Sequence, residues 1–498
     1  MQQPDNPQSA PRNRRSSLRN WRIILTICLI VGLLLVGVLY SQRSRLQSLL
    51  GGKSVPATRP AQITPLTLSP GTTTTTPVQQ DGADWTTYHG NNARTGLVTN
   101  TPDPTALANL WKQPLDGAVY AEPLVVNGQV IAVTEHDTIY ALNASTGQII
   151  WQTNVGSPVP LSNLPCGDID PLGITSTPVY DPQTGLIFAV AEVQGPAHIL
   201  VGLDAKTGQV KVRRQVDPSG IDPQAYQQRS ALALSGGQVY ISFGGLYGDC
   251  GNYRGMVVAS RTDGTGALLS YQLPTPREGG IWEPAGPTVD AQGNLYVSVG
   301  NGAVTQGTWD HTDSVLKLSP TLQLEDAFAP QSWQQDNASD LDLSSLGPVF
   351  LPNGLLFIQG KSDQGYLLHE NQLGGVGGQI QQISVCSAGA YGGAAENGSV
   401  AFIPCANGLR EISVGSTTSV VPGWQAASQV TGSPVIGGNT VYSLDPNGGM
   451  LYALNATTGA VRATVSVSQT SRFATPTLFQ NTVFVGTLTG IVAVKIQA

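Results

Sequence analysis

The chain of 498 residues combines 58 glycines and 34 prolines with only 11% charged residues. This composition is typical of many short strands joined by tight turns, and it disfavours long helices beyond the first fifty residues. Residues 84–498 carry sixteen basic and thirty acidic side chains, a net charge of about −14. Because that charge repels phosphate backbones, nucleic acid is not an expected partner, whereas cations and cationic partners are attracted.

The chain begins with a basic segment and an apolar run. Residues 23–40 contain no charged side chain and are just long enough, as a helix, to cross a bilayer core. Five arginines precede the run: Arg12, Arg14, Arg15, Arg19 and Arg22. By the positive-inside tendency, residues 1–22 are expected to stay in the cytoplasm, with the following chain exported. The sequence therefore predicts a single-pass signal-anchor in the cell membrane.

A cleaved signal peptide is the alternative, but its apolar region normally has about 7 to 15 residues and a small-residue cleavage site follows it. No such site is evident after Tyr40. Residues 41–83 are rich in Pro, Thr, Gly and Gln and poor in apolar residues. They are predicted to form a disordered linker to an extracytoplasmic body.

The strongest pattern in the body is a hairpin that occurs three times. The copies are IYALNASTGQIIWQTNV from Ile139, ILVGLDAKTGQVKVRRQV from Ile199 and MLYALNATTGAVRATVSV from Met450. In each turn an Asn or Asp can accept hydrogen bonds from the backbone that follows it, and a glycine supplies a positive φ. These pairs are Asn143 with Gly147, Asp204 with Gly208, and Asn455 with Gly459.

A different hairpin precedes each copy and forms the first two strands of a four-stranded unit. Five more divergent versions of this preceding hairpin bring its number to eight, at a spacing of roughly 40 to 63 residues that suits propeller blades. After Thr475 only three strands remain, whereas residues 109–115 (NLWKQPL) resemble an outer strand. The two ends of the body are therefore predicted to complete one blade together and so close the ring. The predicted fold is all-β: an eight-bladed β-propeller of four-stranded antiparallel blades over residues 84–498, preceded by one transmembrane helix.

The repeats resemble those of the pyrroloquinoline-quinone-type, or quinoprotein-like, propeller superfamily. The resemblance rests on the pattern A-L-[ND]-A-x-T-G-x-x-x-W, on the STP and GSP strands, and on DWTTYHGNNARTG at the start of the body. It implies that Trp111 and Trp151 dock between neighbouring blades. The superfamily includes quinone-dependent alcohol and glucose dehydrogenases as well as non-enzymatic propellers such as an outer-membrane assembly lipoprotein, so the resemblance does not select a function.

The candidate site is the top face, on which the loops between blades and the loops between the second and third strands emerge. Two long loops, residues 301–313 and 330–345, are rich in acidic and amide side chains, and oxygen ligands of this kind suit Ca²⁺. The alternative is that these residues cap turns and solvate the face. Top-face loops also carry Asp168, Arg229, Asp342 and Lys361.

The resemblance implies a quinone with calcium beside it. The candidates are Trp282 or Trp309 under the cofactor ring, and Glu283 or Asp340 with Asn301 as calcium ligands. The adjacent Cys-Cys pair that covers the quinone in the alcohol dehydrogenases is absent, which is a departure from that pattern. The catalytic residues, and whether the chain is an enzyme, stay open.

Four cysteines lie in the body: Cys166, Cys250, Cys386 and Cys405. An even number suits disulfides in an oxidising compartment, and no C-x-x-C spacing favours zinc. Of the three possible connectivities we expect Cys166 with Cys250, on one face, and Cys386 with Cys405, across a blade junction.

The leading hypothesis is a membrane-anchored extracytoplasmic propeller that binds a protein or small-molecule ligand at its top face, for instance in envelope assembly. The alternative is a pyrroloquinoline-quinone-dependent alcohol or sugar dehydrogenase with a calcium-quinone site in the top funnel. A sugar-binding or cell-wall-attached module is a third hypothesis, and it predicts exposed aromatic platforms at Trp309 and Trp333.

Overall fold

Eight β-sheets make up the computed structural model, which describes residues 79–415 and 418–498. Three early strands join sheets whose other strands come later in the chain: β1 (Gln79–Gln80), β2 (Leu97–Thr99) and β3 (Ala106–Pro114). Each sheet contains at least four strands that pair antiparallel, in agreement with the predicted four-stranded units. We number the sheets 1 to 8 in chain order.

The first four sheets follow one another along the chain. Sheet 1 contains β4 (Leu124–Val126), β5 (Gln129–Val133), β6 (Thr138–Asn143) and β7 (Ile149–Asn154). Sheet 2 contains β8 (Val179–Asp181), β9 (Leu186–Val193), β10 (Ala197–Asp204) and β11 (Val210–Gln215). Sheet 3 contains β12 (Tyr226–Gln227), β13 (Ala233–Ser235), β14 (Gln238–Gly245), β15 (Met256–Arg261) and β16 (Leu269–Gln272). Sheet 4 contains β17 (Thr288–Val289), β18 (Leu295–Val299), β19 (Ser314–Leu318) and β20 (Leu324–Ala329), with β24 (Gly375–Val376) parallel to β20.

The last four sheets complete the set. Sheet 5 contains β21 (Val349–Leu351), β22 (Leu355–Gln359), β23 (Gly365–His369) and β25 (Gln381–Ile383). Sheet 6 contains β26 (Ala395–Glu396), β27 (Val400–Ile403), β28 (Arg410–Val414) and β29 (Val420–Gln425). Sheet 7 contains β30 (Val435–Gly437), β31 (Thr440–Asp445), β32 (Met450–Asn455) and β33 (Val461–Ser466), extended by β2 and β1. Sheet 8 contains β34 (Thr477–Phe479), β35 (Thr482–Thr487) and β36 (Gly490–Gln497), together with β3.

Helical structure in the described residues is limited to short segments between strands. These are an α-helix at Trp333–Ala338 and 3-10 turns at Tyr88–Gly90, Leu161–Asn163, Pro223–Ala225 and Leu343–Ser345. No helix within residues 79–415 and 418–498 is long and apolar enough to span a membrane. The predicted tail (1–22) and transmembrane helix (23–40) lie outside the described residues, as does the linker up to residue 78. The described structure starts inside the predicted linker, at Gln79, where β1 pairs with β2.

The repeated hairpin turns have the predicted geometry. The Oδ1 atom of Asp204 accepts hydrogen bonds from the backbone N–H groups of Lys206 and Thr207 at 3.1 and 2.9 Å. Gly208 follows with a φ of 71°. Asn143 and Asn455 make the same turns, with φ angles of 74° and 71° at their glycines. The local sequence therefore determines the bend between the third and fourth strands of sheets 1, 2 and 7.

The predicted closure between the ends of the body is confirmed. Strand β3 pairs antiparallel with β36 along its whole length, and Trp111 faces Ala493 across a β-bulge. The first strands of most neighbouring sheets also lie side by side, and β34 of sheet 8 lies next to β4 of sheet 1. Sheet 8 is thus joined to sheet 1 in two ways: β34 packs next to β4, and the chain continues from β3 in sheet 8 to β4 in sheet 1.

Tryptophans of the outer strands join neighbouring sheets. The indole Nε1 of Trp111 donates to the carbonyl oxygen of Ala144 in the next sheet at 3.0 Å, and Trp151 makes the equivalent bond, so the predicted docking of both indoles is confirmed. Trp424 of β29 makes a third such contact, to Ala456 at 3.0 Å. Trp424 is not among the tryptophans for which the repeats predict docking.

Residues 85–96 form what we call the axial segment, because it bonds to seven of the eight sheets. Its backbone pairs with Val125 of sheet 1 and Tyr180 of sheet 2, and the Arg94 guanidinium donates to the carbonyl oxygen of Leu232, which precedes β13 of sheet 3. Further backbone or side-chain bonds reach Val289, Glu396, Ile436 and Thr475, next to or within sheets 4, 6, 7 and 8. So short a segment can reach so many sheets only where they converge. The DWTTYHGNNARTG sequence therefore fills the centre of the assembly.

Candidate functional site

The described part of the chain contains a cavity of about 860 Å³, which we call the funnel. Loops of several sheets line it, among them those carrying Tyr120, Asp168, Arg229, Tyr247, Asp249, Trp282, Asp340, Asp342, Lys361, Tyr391, Arg472 and Phe473. The volume suits a drug-sized or cofactor-sized molecule, and such clefts are the usual ligand sites of proteins. The funnel is therefore the candidate functional site.

Two of the four predicted cofactor residues, Trp282 and Asp340, line the funnel. The Trp282 ring makes an edge contact with Phe473, whose centroid is 6.0 Å away, and the Lys361 ammonium lies 5.9 Å from the indole. Trp282 is thus held between an aromatic ring and a cation at the wall of the funnel. A flat ligand could stack on this indole.

One side of the funnel, which we call the acidic wall, consists of Asp340, Asp342 and Lys361. Lys361 lies at its centre. Its Nζ atom lies 2.6 Å from Oδ1 of Asp340 and 2.5 Å from Oδ2 of Asp342. Burial opposes the charge on the ammonium, but Asp342 and Asp340 outweigh it and raise the pKa of Lys361. The lysine therefore remains protonated and offsets the charge of one of the two carboxylates.

Asn301 supports the acidic wall through its backbone. Its N–H donates to Oδ1 of Asp342 at 2.7 Å, and the next residue, Gly302, donates to Oδ1 of Asn337. The amide group of Asn337 also donates to Val304 and Thr312. The two long loops predicted from the sequence, 301–313 and 330–345, are thus bonded to each other beside the funnel.

Glu283 does not line the funnel, although it follows Trp282 directly. Its side chain is fully buried and accepts bonds from the backbone N–H and the hydroxyl of Ser298 at 2.9 and 2.7 Å. Burial raises the pKa of Glu283 to about 8, so the carboxyl is mostly protonated at neutral pH. The structure therefore separates Glu283 from Asp340.

The basic wall of the funnel was not predicted as a unit. It consists of Arg229, Arg472 and Phe473, with Tyr391 next to Arg472. The guanidinium carbons of Arg229 and Arg472 lie 4.7 and 5.8 Å from the centroid of Phe473. Arg229 is among the predicted top-face residues, but Arg472 and Phe473, in the loop after β33, are not.

A narrow space continues below the funnel. It is lined by Tyr120, Arg229, Ser471 and Phe473 of the funnel and by Tyr88 and Glu122. Tyr88 belongs to the axial segment, and Glu122 accepts bonds from Trp85 and from the backbone of His89 in the same segment. The axial segment thus lies across the inner end of the funnel.

Both predicted disulfides are present. Cys166 is bonded to Cys250 with a Cα–Cα distance of 6.0 Å, and Cys386 to Cys405 with 5.2 Å. The first bond lies beside the funnel, since Leu246 to Asp249 of the same loop line it. The second is fully buried.

The aromatic platforms expected of a sugar-binding face are not formed by the two tryptophans named for them. Trp333 is buried at the start of its short helix, with 5% of its surface exposed. Trp309 is half-buried, and its Nε1 donates to the carbonyl oxygen of Thr312 at 2.9 Å. The burial of Trp333 removes it from the role predicted for it, whereas Trp309 keeps part of its surface exposed.

The side chains that line the funnel suit a flat ring better than a bare calcium ion. Trp282, Phe473 and Lys361 offer an aromatic surface with a cation next to it. In contrast, Asp340 and Asp342 already contact Lys361, and no cluster of three or more His, Cys, Asp or Glu suited to a metal occurs within the described ranges 79–415 and 418–498. The carboxylates of the acidic wall therefore do not form a calcium cage by themselves.

Comparison with known proteins gives matches to both enzymes and assembly factors. A family described as outer membrane protein assembly factor BamB matches residues 103–218. A polyvinylalcohol dehydrogenase of Sphingopyxis sp. (strain 113P3) is 24% identical over 327 residues, which cover 58% of this chain and 47% of that protein. The chain thus spans about half the length of this curated relative.

Solved structures share the fold at low sequence identity. The quinohemoprotein alcohol dehydrogenase from Comamonas testosteroni has a TM-score of 0.64 and 15% identity, over 82% of this chain and 80% of that one. BamB from Moraxella catarrhalis has a TM-score of 0.54 and 15% identity, over 78% and 99%. Together with the repeated hairpins, these similarities confirm the resemblance of the chain to the pyrroloquinoline-quinone-type β-propeller repeat superfamily.

Proposed function

We propose that the chain is an eight-bladed propeller, held outside the cell membrane by its N-terminal segment, that binds a small ring-containing ligand in the funnel. The observation that carries the proposal is the funnel itself, where Trp282 lies between Phe473 and Lys361 in a cavity of about 860 Å³. An aromatic floor with a few charged groups around it is the usual composition of a ligand site. The eight sheets and the pairing of β3 with β36 support the blade number.

The membrane anchor and the extracytoplasmic location rest on the sequence of residues 1–40 and on the two disulfides, which persist in oxidising compartments. A role in envelope assembly, with a protein partner at the top face, is supported by the match of residues 103–218 to the BamB family. Protease treatment of intact cells tests the location. Digestion of the propeller from outside is expected, and full protection would contradict it.

The ligand proposal is tested with pyrroloquinoline quinone as the probe. Titration of the full chain in detergent, followed by tryptophan fluorescence and calorimetry, is expected to show binding that is at least tenfold weaker in Trp282→Ala. Trp309→Phe is the matched control, because Trp309 does not line the funnel, and it should bind like the wild type. No binding by the folded wild type, or equal loss in both variants, would contradict the proposal.

The second candidate is a quinone-dependent dehydrogenase, and the acidic wall favours it. A quinone bound against Trp282 would supply an acceptor for two electrons from an alcohol. Among the residues of this chain, Asp340 is the best placed to accept a proton, since its side chain is 64% exposed and lies at the funnel wall. Lys361 next to it would orient the carboxylate and offer a cation to ligand oxygens.

Dye reduction separates the two functions. With quinone bound, the dehydrogenase predicts reduction of an artificial electron acceptor by alcohols or sugars, and loss of that activity in Asp340→Asn with binding retained. Calcium and a chelator are compared in the same assay, because the acidic wall does not provide a calcium cage. Quinone binding without dye reduction would leave ligand binding as the function.

A further inference from the structure

We propose that a second cavity beside the funnel, which we call the side pocket, is a binding site for a neutral saccharide. The side pocket has a volume of about 480 Å³ and is lined by top-face loops in and next to sheets 6 and 7. This inference goes beyond the proposed function, because it concerns a different cavity and a different class of ligand.

Tyr391 and Arg472 form the wall between the two cavities. Both residues line the funnel as well as the side pocket, and the guanidinium carbon of Arg472 lies 3.8 Å from the centroid of the Tyr391 ring. This stacked pair keeps the side pocket apart from the aromatic floor at Trp282, which lines the funnel and not the side pocket. The side pocket can therefore bind a ligand of its own.

Several polar side chains of the side pocket have no partner in the protein. Within residues 79–415 and 418–498, the side chains of Ser428, Thr431 and Asn447 make no hydrogen bond. Arg472 likewise donates no hydrogen bond to the described residues and forms no ion pair with them. Hydroxyl and amide groups both donate and accept, whereas a guanidinium only donates. This mixture matches the adjacent hydroxyls of a sugar, because each of them also donates and accepts.

Asp445, at the end of β31, is oriented before any ligand binds. Its Oδ1 atom accepts a hydrogen bond from the backbone N–H of Gly448 at 2.8 Å, whereas its Oδ2 atom has no hydrogen-bond partner among the described residues. A Cβ atom on Gly448 would lie 2.2 Å from Oδ2, so the carboxylate lies over the turn where residue 448 has no side chain. The free oxygen can accept a hydrogen bond from a ligand hydroxyl at little cost in side-chain entropy.

The charges of the side pocket favour a neutral ligand. Among the described residues that line it, Asp445 supplies the one carboxylate and Arg472 the one cation, so their charges balance. The same lining contains no tryptophan or phenylalanine on which a hydrophobic ring could lie. The volume falls within the range of small-molecule sites. A short, uncharged and hydroxyl-rich molecule fits these properties, and a saccharide is such a molecule.

The test titrates the full chain with three neutral trisaccharides: maltotriose, cellotriose and triacetylchitotriose. Calorimetry and ligand-observed NMR follow the binding, in a detergent without a sugar headgroup, because a maltoside would compete. Two comparison probes are triethylene glycol, which offers mainly ether oxygens, and glycylglycine, which carries two opposite charges. At least one trisaccharide is expected to bind about ten times tighter than either comparison probe.

Asn447→Ala and Asp445→Asn should each weaken saccharide binding about fivefold or more, because each removes a hydrogen-bonding group from the ligand. Gly448→Ala should weaken it too, since the new methyl group displaces the carboxylate, and the φ of Gly448 is not positive, so this alanine adds no left-handed strain. Asn252→Ala is the matched control. Asn252 is exposed on another top-face loop, makes no side-chain hydrogen bond with the described residues and lines neither cavity. Thermal melting confirms that each variant is folded.

Failure of all three saccharides to bind, or equal binding of triethylene glycol, would overturn the proposal. Tighter binding of glycylglycine would do the same, because the pocket would then select charge, as would equal saccharide affinity in all variants. Trp282→Ala should leave saccharide binding unchanged. Its loss in that variant would place the saccharide in the funnel and refute the side pocket alone. Saccharide binding without any quinone binding would instead refute the proposed function alone.

Discussion

The indole of Trp151 lies against Gly208 of the next sheet, and its Nε1 atom donates a hydrogen bond to the carbonyl oxygen of Ala205 at 3.1 Å. A Cβ atom on Gly208 would lie 2.5 Å from Cε3 of the indole. The hairpin turn therefore requires glycine for two reasons: the positive φ at this position and the close approach of the neighbouring sheet. Trp111 with Gly147 and Trp424 with Gly459 repeat this relationship.

Gly208→Ala is expected to destabilise the protein by about 2 to 4 kcal/mol, because backbone strain and overpacking of the indole add together. Gly185→Ala is the matched control. Its φ of 72° is similar, but no atom lies within 4 Å of the point that the alanine Cβ would occupy, so only the backbone cost of about 1 kcal/mol is expected. Urea unfolding of both variants measures the difference. Equal losses would show that the indole contact contributes nothing.

Lys361→Gln is expected to cost about 2 to 4 kcal/mol, because it leaves the carboxylate of Asp342 buried without a counter-charge. Arg261→Gln removes one partner of an ion pair whose side chains are 58% and 46% exposed, and it should change the stability little because solvent screens the pair. Thermal melting near neutral pH compares the two. Similar small changes in both variants would mean that Asp342 is not ionised in the folded state.

The raised pKa of Asp137 should make the stability of the folded protein depend on pH. Its carboxyl is fully buried, neither oxygen has a hydrogen-bond partner among the described residues, and burial raises its pKa from 3.8 to about 8. Between these values the folded protein binds a proton that the unfolded chain has released. This contribution to stability is therefore complete below the lower pKa, is lost as the pH rises, and changes no further above the higher one.

Asp137→Asn is expected to remove that loss. Glu135 and Glu283 have pKa values raised in the same direction, so the informative quantity is the difference in melting temperature between variant and wild type. It should favour the variant more at about pH 9 than at about pH 5. A difference that is the same at both pH values would contradict the raised pKa.

The two disulfides are expected to react with reductant in a fixed order. Cys166 and Cys250 are partly exposed beside the funnel, whereas Cys386 and Cys405 are fully buried. Mild reduction of the native protein followed by alkylation and mass spectrometry should label the first pair, and the second only after unfolding. Simultaneous labelling of all four would mean that the junction between sheets 5 and 6 opens in the native state.

The regular parts of the fold were predictable because turn chemistry is local. Asn143 and Gly147 specify their hairpin whatever surrounds them, and the missing fourth strand after Thr475 indicated the pairing with residues 109–115. Trp424 escaped notice because the hairpin before it lacks the N-x-x-T-G turn. Trp424 lies on an outer strand, as Trp111 and Trp151 do, but the repeated turn that would indicate this strand is absent.

The site was predictable only in part, because side-chain direction depends on tertiary structure. Trp282 and Glu283 are neighbours in sequence, yet one lines the funnel and the other is buried against Ser298. The loop with Arg472 and Phe473 joins sheets 7 and 8, and nothing in its local sequence indicates that it meets Arg229. Such convergence follows from the arrangement of the sheets and not from any one repeat.

The pairing of β3 with β36 has a consequence for biosynthesis. Strand β3 leaves the ribosome before the strands of all eight sheets other than β1 and β2, but its partner β36 is made after every other described strand. The seven other sheets can therefore form in order during translation, while one early strand waits with an unsatisfied backbone edge. Synthesis of β36 therefore sets the earliest moment at which this protein can complete its native architecture.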